Sequence, residues 1–355
     1  MGISPVSVGG VSPAYNVGTA APASAPAVQS AESSAAAPDD LISLDGGQDK
    51  EVSEKHGLLH FVKDFVSGFG KDKKVDEHKT PFFDETCSRL KKVLVKAKPG
   101  DIPDTMPKHE RKGGEPTDFY IPGFGSHSGI SLPLLSEKAP TMTDVADFKN
   151  IECSEAEKIY NQQGLADKLS PMQKRVLKEY SGWAFAAMNS YLINGKDNAA
   201  GTVGKAVRCA AGALDKGEVP AGVVLHRTAD LEELLNYCGK KDFAKYEKLA
   251  DSDKMEGLAN ILNKRLTGTQ TDRKTFISTC VGSKSDFIDK PEVTTKFYIG
   301  SGVKGIYLTG DPDLVFFNGE NEYLLAPDTP ATVLGVEYDP DSEGLLMHVF
   351  LGDKN

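Results

Sequence analysis

The sequence predicts an α+β fold in which a helical half precedes a β-rich half. Between about Thr143 and Leu262, apolar side chains recur every three or four residues, as they do on amphipathic helices. From Thr275 the pattern changes to short apolar runs separated by turns such as Asp311-Pro312-Asp313. Helices followed by closely spaced strands are typical of a helical lobe packed on a β-sandwich core.

The first 55 residues are predicted to form a disordered tail. Up to Asp39 the chain consists mainly of Ser, Ala, Pro, Val and Gly, and Glu32 is its single charge before Asp39. Such a composition buries too little apolar surface to offset the entropy of folding. The tail is either a passive linker or a leader that must stay unfolded for export.

Residues 56–140 are predicted to be a connector that contains one amphipathic helix. Leu58, Phe61, Phe65 and Phe69 form an apolar stripe from His56 onward. The helix can dock on the body of the protein, bind a secretion chaperone, or lie on a membrane surface. Acidic residues beside its lysine cluster weaken the membrane interpretation, so packing or chaperone binding is favoured. The proline-rich remainder predicts only short elements.

Residues 141–355 are predicted to form the folded domain. Ser170-Pro171 is a typical helix start, with a capping side chain followed by proline. The predicted helices are residues 171–180, 180–192, 203–214, 231–238 and 255–262. The predicted strands are residues 223–227, 276–280, 296–299, 305–308, 314–317, 322–325, 331–338 and 345–351.

Composition restricts the class of function. The chain has 355 residues and a formal net charge of -10, which argues against binding nucleic acid through phosphate neutralisation. Its five cysteines are scattered without metal-ligand spacing, so neither a zinc site nor a disulfide framework is predicted. The sequence therefore suits a reduced, cytosolic working environment and offers no membrane span or Sec-type signal.

One short stretch concentrates acidic residues on a predicted strand. Glu320 and Glu322 follow the turn Asn318-Gly319, and side chains two apart on a strand share a face. Neighbouring carboxylates repel each other, so this arrangement indicates chemistry unless the pair is a solvated strand edge.

Two further residues accompany this pair in a recognisable order. Arg227 ends an apolar strand, and Ser278-Thr279-Cys280 lies on another. Arginine, serine and Glu-x-Glu in this order resemble the arginine–serine–glutamate class of bacterial mono-ADP-ribosyltransferase toxins and type III effectors. The resemblance spans roughly Thr143 to Asn355, although that class usually has serine where this chain has Cys280.

The resemblance implies a split β-sandwich core that binds NAD as substrate, without a metal. Tyr180 and Asn189 lie on a segment similar to the helix that precedes the arginine strand in binary and C3-like toxins, so both would line the NAD cleft. Arg227 would hold the diphosphate, and Thr279 would be one of the cofactor-binding residues and support the strand. Ser278 would hydrogen-bond the ribose side of the site and orient the catalytic glutamate.

The resemblance also assigns the chemistry to the two glutamates. Glu322 would hold the ribose 2′-hydroxyl and stabilise the oxocarbenium-like transition state of the bond cleavage. Glu320 would accept a proton from the incoming nucleophile, and a glutamate here favours arginine as acceptor. Phe316 and Phe317 would lie on the loop that recognises the target protein, unless they pack in the core.

These implications give a secreted effector enzyme that acts in the host cytoplasm and transfers ADP-ribose to a host acceptor protein. The tail then becomes a type III secretion leader, and residues 56–140 become a possible chaperone-binding region. Two alternatives stay open: an NAD glycohydrolase, and a non-catalytic binding module on a transferase scaffold.

Overall fold

The computed structural model describes residues 81–107, 139–195, 197–250, 254–282, 291–316 and 321–353. The predicted tail, the stripe of residues 56–69, Phe317 and Glu320 lie outside these ranges. The predicted α+β class is confirmed, since a group of helices precedes most of a nine-stranded sheet.

The described part of the chain has eight α-helices, six of which lie before Asp215. They are α1 (Pro81–Leu94), α2 (Cys153–Gln162), α3 (Leu165–Lys168), α4 (Pro171–Glu179), α5 (Phe185–Asn194), α6 (Thr202–Leu214), α7 (Lys240–Ala250) and α8 (Met255–Leu266). The predicted start of α4 is confirmed: Ser170 Oγ accepts a hydrogen bond from the Gln173 N–H, and Gln173 Oε1 accepts one from the Ser170 N–H.

Helix α1 packs on the helical lobe although it lies far upstream of it in the chain. It contacts α4 and α6, and its Leu90 is fully buried in their apolar core. Further along the same segment, the Pro103 carbonyl accepts a hydrogen bond from Arg208 Nε at 3.0 Å. Residues 81–103 are therefore an integral part of the folded helical lobe.

Within the ranges that the structure describes, nine strands form one sheet. They are β1 (Lys149–Asn150), β2 (Val223–Ala229), β3 (Gln270–Arg273), β4 (Ile277–Cys280), β5 (Val293–Ile299), β6 (Gly305–Tyr307), β7 (Glu322–Leu325), β8 (Thr329–Asp339) and β9 (Gly344–Leu351). The strand order is β3-β8-β9-β5-β2-β4-β7-β6, and β1 pairs in parallel with the start of β2.

The sheet has two parts that meet between β2 and β4. These strands pair in register at His226 and Cys280, whereas β2 and β5 pair along six residues. Alternate side chains of β4 and β7 face different cores: Ile277 and Tyr323 pack with β5, β8 and β9, whereas Leu324 packs with the helical lobe. The β4–β7–β6 part is thus covered on both faces, and its helix-facing side carries the predicted site.

Among the features that differ from the sequence expectation, three lie near the predicted site or its supporting strands. Residues 314–316 form a turn rather than a strand, because Leu314 and Val315 bury their side chains against the helical lobe. The helix predicted from Tyr180 begins as a π-helical turn, Tyr180–Ala184. Strand β3 was not predicted, because its sequence Gln-Thr-Asp-Arg is polar. Within the described ranges, no helix is long and apolar enough to cross a bilayer.

Candidate active site

Three neighbouring strands carry the arginine, the serine and the second glutamate of the predicted site. Strand β4 lies between β2 and β7 and places Cys280 opposite both His226 and Glu322. Ser278 lies opposite Leu324 in the same register. Residues directly opposite each other, or two apart on one strand, share a face of the sheet. Ser278, Cys280 and Glu322 therefore face the helical lobe together.

Arg227 is held by two hydrogen bonds at the boundary between the sheet parts. Its Nη1 donates to the main-chain carbonyl of Ser278 at 2.9 Å, and its Nε donates to Glu233 Oε2 at 3.3 Å. The side chain is 30% exposed, so part of the guanidinium stays accessible. The structure thus joins Arg227 to the backbone of Ser278, whereas the sequence resemblance suggested only that the two residues share a cleft.

Glu322 and Arg227 both act electrostatically on the hydroxyl of Tyr180. Burial raises the pKa of Tyr180 most, the Glu322 carboxylate raises it further, and the Arg227 guanidinium lowers it. Both charged groups therefore lie near one phenol. Glu322 is 5% exposed, and its main-chain N–H donates to Thr309 Oγ1 at 3.1 Å. A negative and a positive group thus shift the pKa of the same buried hydroxyl in opposite directions.

Asn189 connects the helical lobe to the start of β4. Its Nδ2 donates to the Tyr180 hydroxyl at 3.2 Å, and its Oδ1 accepts from the Phe276 N–H at 3.1 Å. The rings of Tyr180 and Phe276 pack edge to face with centroids 5.1 Å apart. Asn189 therefore sets the distance between the π-helical turn and the strand that carries Ser278.

Thr279 faces the opposite core from Ser278. It is 1% exposed, and its Oγ1 donates to the Tyr323 carbonyl at 2.6 Å. This bond ties β4 to β7 one residue away from the pairing of Cys280 with Glu322. Thr279 thus supports the strand pair from the far side, where its side chain has no access to the helix-facing cleft.

Phe316 packs on the π-helical turn. Its N–H donates to Ser181 Oγ at 2.9 Å, and its ring lies edge to face with Trp183 at a centroid distance of 6.2 Å. The guanidinium of Arg89 on α1 lies over both rings, 5.2 Å from that of Trp183 and 5.8 Å from that of Phe316. The loop predicted to recognise the target protein, which we call the acceptor segment, therefore begins at a fixed contact with the turn that carries Tyr180.

Sequence reasoning missed several residues that organise this site. Glu233 pairs with Arg227, Thr309 holds the backbone of Glu322, and Arg89 covers Phe316. None of the three could be recognised from the sequence. Glu233 is one of two adjacent glutamates, and neither Thr309 nor Arg89 belongs to a motif. In the described part of the chain, no group of three or more His, Cys, Asp or Glu side chains is placed to hold a metal ion.

The site places a positive guanidinium and a negative carboxylate at different positions, as a ligand with both a phosphate and a sugar requires. A partly exposed guanidinium can bind oxyanions such as phosphate. A buried carboxylate can stabilise positive charge that develops on a sugar ring. The structure thus brings Arg227, Ser278, Glu322, Tyr180 and Asn189 together at one junction of sheet and helices. Glu320 lies outside the described residues.

Comparison with known proteins identifies the family. No curated protein matches the chain. Among solved structures, C3stau2 from S. aureus with NAD is 20% identical, with a TM-score of 0.49, over 59% of this chain and 100% of that chain. Plx2a, an ADP-ribosyltransferase toxin from Paenibacillus larvae, is 20% identical, with a TM-score of 0.48, over 57% and 98% of the two chains. The Clostridium limosum C3 exoenzyme is 22% identical, with a TM-score of 0.45, over 59% of this chain and 100% of that chain.

The model of the ADP-ribosyltransferase exoenzyme family matches residues 157–347, more than half of the chain. The chain therefore belongs to this family and is an NAD-dependent mono-ADP-ribosyltransferase.

Proposed function

We propose that this enzyme transfers ADP-ribose from NAD to a side chain of a host protein, with arginine as the favoured acceptor. The observation that carries the proposal is the placement of both charged groups beside strand β4: Arg227 Nη1 donates to the Ser278 carbonyl at 2.9 Å, and Glu322 shares a face of the sheet with Ser278. An anion-binding group and a cation-stabilising group on the two strands that flank β4 match the two ends of the reacting part of NAD.

Arg227 binds the NAD diphosphate in this proposal. Its Nε and Nη1 each make one hydrogen bond inside the protein. Among the described residues, its Nη2 has no hydrogen-bond partner, so the outer edge of the guanidinium remains for phosphate oxygens. Guanidinium is permanently charged and donates in a planar fork, which suits a diphosphate.

Glu322 acts on the nicotinamide ribose. Its carboxylate holds the 2′-hydroxyl and stabilises the oxocarbenium-like transition state as the bond to nicotinamide breaks. Ser278 shares its face of the sheet and contacts the same ribose, while Tyr180 and Asn189 line the cleft on the helical side. The nicotinamide leaves with the bonding electron pair, which neutralises its ring nitrogen.

Glu320 activates the acceptor in this proposal. Its position two residues before Glu322, together with the resemblance, supports this role. A guanidinium acceptor needs to lose a proton as it attacks the anomeric carbon, and a nearby carboxylate can accept that proton. Phe316 and Phe317 precede Glu320 and belong to the surface that recognises the target.

We further propose that the protein is a secreted bacterial effector that works in the host cytoplasm. Its first 55 residues serve as the export leader, and residues 56–140 include a possible chaperone-binding region. The low-complexity composition of the leader and the apolar stripe of residues 56–69 support these assignments.

The test compares Glu322→Gln with a matched control, Glu155→Gln, which removes an exposed carboxylate from helix α2. With labelled NAD and host lysate, the wild-type enzyme and the control should label a discrete protein band. Glu322→Gln should lower the labelling rate by at least about 100-fold while the protein stays folded, because charge stabilisation in the transition state is lost.

The labelling assay and calorimetry give a different result for each alternative function. A folded Glu322→Gln variant that labels at the wild-type rate contradicts the proposed role of this carboxylate. NAD consumption without any labelled band indicates a glycohydrolase. A folded wild-type protein that shows no heat of NAD binding in calorimetry indicates a non-catalytic module.

A further inference from the structure

A buried carboxylate lies between two arginines behind the proposed diphosphate site. Glu233 is on the 3-10 turn Leu231–Asn236, which follows β2 directly, and it is 6% exposed. Its Oε2 accepts a hydrogen bond from Arg227 Nε at 3.3 Å, and its Oε1 accepts one from Arg273 Nη1. Burial alone raises the pKa of Glu233, but the two arginines outweigh burial, and its net pKa lies below the usual value. Glu233 is therefore ionised between two permanent cations.

Arg273 is buried in the core and held there by contacts of its Nη1 and of its guanidinium face. It is 2% exposed, and its Nη1 also donates to the Tyr237 hydroxyl at 2.6 Å. Its guanidinium lies over the rings of Tyr237 and Phe297, 5.3 Å and 5.6 Å from their centroids. Arg273 thus has no access to a ligand, and its charge acts on Glu233.

Stability gives a poor account of this cluster. The desolvation of buried ions often cancels their attraction, and apolar replacements of similar volume are frequently as stable. The presence of the cluster is better explained by where its contacts lead. The cluster begins at a rigid guanidinium in the core and ends at Arg227, the member that is 30% exposed beside the proposed cleft.

We propose that Glu233 is a positioning residue for NAD binding, which acts through its pair with Arg227 and is itself paired with Arg273. Glu233 fixes the Nε side of Arg227, while the Ser278 carbonyl fixes Nη1. With two of its nitrogens held, the guanidinium keeps one plane and presents Nη2 to the diphosphate without losing side-chain freedom on binding. This inference rests on the proposed function, in which Arg227 binds the diphosphate.

The experiment measures binding of ADP-ribose, which contains the diphosphate, and of adenosine, which lacks it. Glu233→Gln alone leaves Arg273 as an unpaired buried cation, so the main variant is the double change Glu233→Gln/Arg273→Met. The matched control is Arg273→Met, which keeps the pair between Glu233 and Arg227. Calorimetry is carried out on the full chain, and circular dichroism confirms that each variant is folded.

We expect the double variant to bind ADP-ribose about 10-fold more weakly, the equivalent of one charge-assisted hydrogen bond, with adenosine binding unchanged. Arg273→Met alone should weaken ADP-ribose binding less than the double variant does, because Glu233 still pairs with Arg227. In turnover, the double variant should raise the KM for NAD more than it lowers kcat, a split that a general loss of stability would not produce.

The variant Arg227→Ala distinguishes the proposed diphosphate role of Arg227 from the proposed positioning role of Glu233. If Arg227→Ala leaves ADP-ribose binding unchanged, the proposed diphosphate role of Arg227 fails. If Arg227→Ala weakens binding but the folded double variant does not, only the positioning role of Glu233 is overturned. If the double variant does not fold, Glu233→Asp decides the question, because it keeps the charge but its shorter side chain cannot span both guanidinium groups. Wild-type ADP-ribose affinity in Glu233→Asp would overturn the inference.

Discussion

A methyl group added at Gly182 should disturb the start of the acceptor segment. Gly182 lies in the π-helical turn, and a Cβ built there would be 2.7 Å from Phe316 Cγ and 2.9 Å from Phe316 Cβ. Gly257 on α8 offers a matched control, since a Cβ built there meets nothing nearer than Lys254 Cβ at 4.0 Å. The same substitution thus meets a packed ring at one site and open space at the other.

The two substitutions should change the free energy of unfolding differently. Gly→Ala in a helix contributes about 1 kcal/mol of stability from backbone entropy, and Gly257→Ala should show this gain in full. Gly182→Ala must also displace Phe316, whose ring packs on Trp183 beneath Arg89. Overpacking of this kind costs about 1–3 kcal/mol, so the net change at Gly182 ranges from about zero to a loss of about 2 kcal/mol.

Urea denaturation measures both values, and fluorescence reports the contact itself. Trp183 is the single tryptophan of the chain, so its emission follows the packing of Phe316. Gly182→Ala should shift the emission and slow acceptor labelling more than NAD hydrolysis, whereas Gly257→Ala should change neither. A gain of stability at Gly182 equal to that at Gly257, with unchanged emission, would refute the packing argument.

Two further predictions concern the neighbourhood of the site. Asn189→Leu should lower the free energy of unfolding by about 1–3 kcal/mol, because the Phe276 N–H and a tyrosine hydroxyl lose their partner, and it should raise the KM for NAD in a steady-state assay. Burial, helped by a nearby lysine, lowers the pKa of His226 from 6.5 to about 4. As the pH falls below 6.5 the unfolded chain takes up this proton first, so up to about 3 kcal/mol of stability should be lost by pH 4. His226→Gln should flatten that part of the stability curve, and an unchanged slope in the variant would contradict the assignment.

Sequence reasoning identified the residues proposed to contact NAD better than it identified the residues that hold them in place. Arg227, Ser278 and Glu322 were predictable together because their order along the chain resembles that of a known toxin class, whereas alternation on the strands gives only the shared face of Ser278 and Glu322. Leu314 to Phe316 misled the strand prediction, because apolar side chains buried from a turn have the same composition as a strand.

The Glu233–Arg273 pair was not predictable for a physical reason. Arg273 ends a polar strand, Gln270–Arg273, whose sequence is typical of an exposed loop. It is buried only because a carboxylate from a distant turn meets it, and such compensation between remote charges leaves no local periodicity. The adjacent Glu232 has the same side chain, so no pattern singles out its neighbour.

The position of β9 has a consequence for how the molecule is made. This strand pairs with β8 on one side and with β5 along seven residues on the other. Strands β3 and β8 therefore join the rest of the sheet only through a segment that leaves the ribosome after all the other strands. Until residues 344–351 have left the ribosome, the pair of strands β3 and β8 cannot join the rest of the sheet. The sheet that carries the proposed site therefore cannot be completed before this late segment is available.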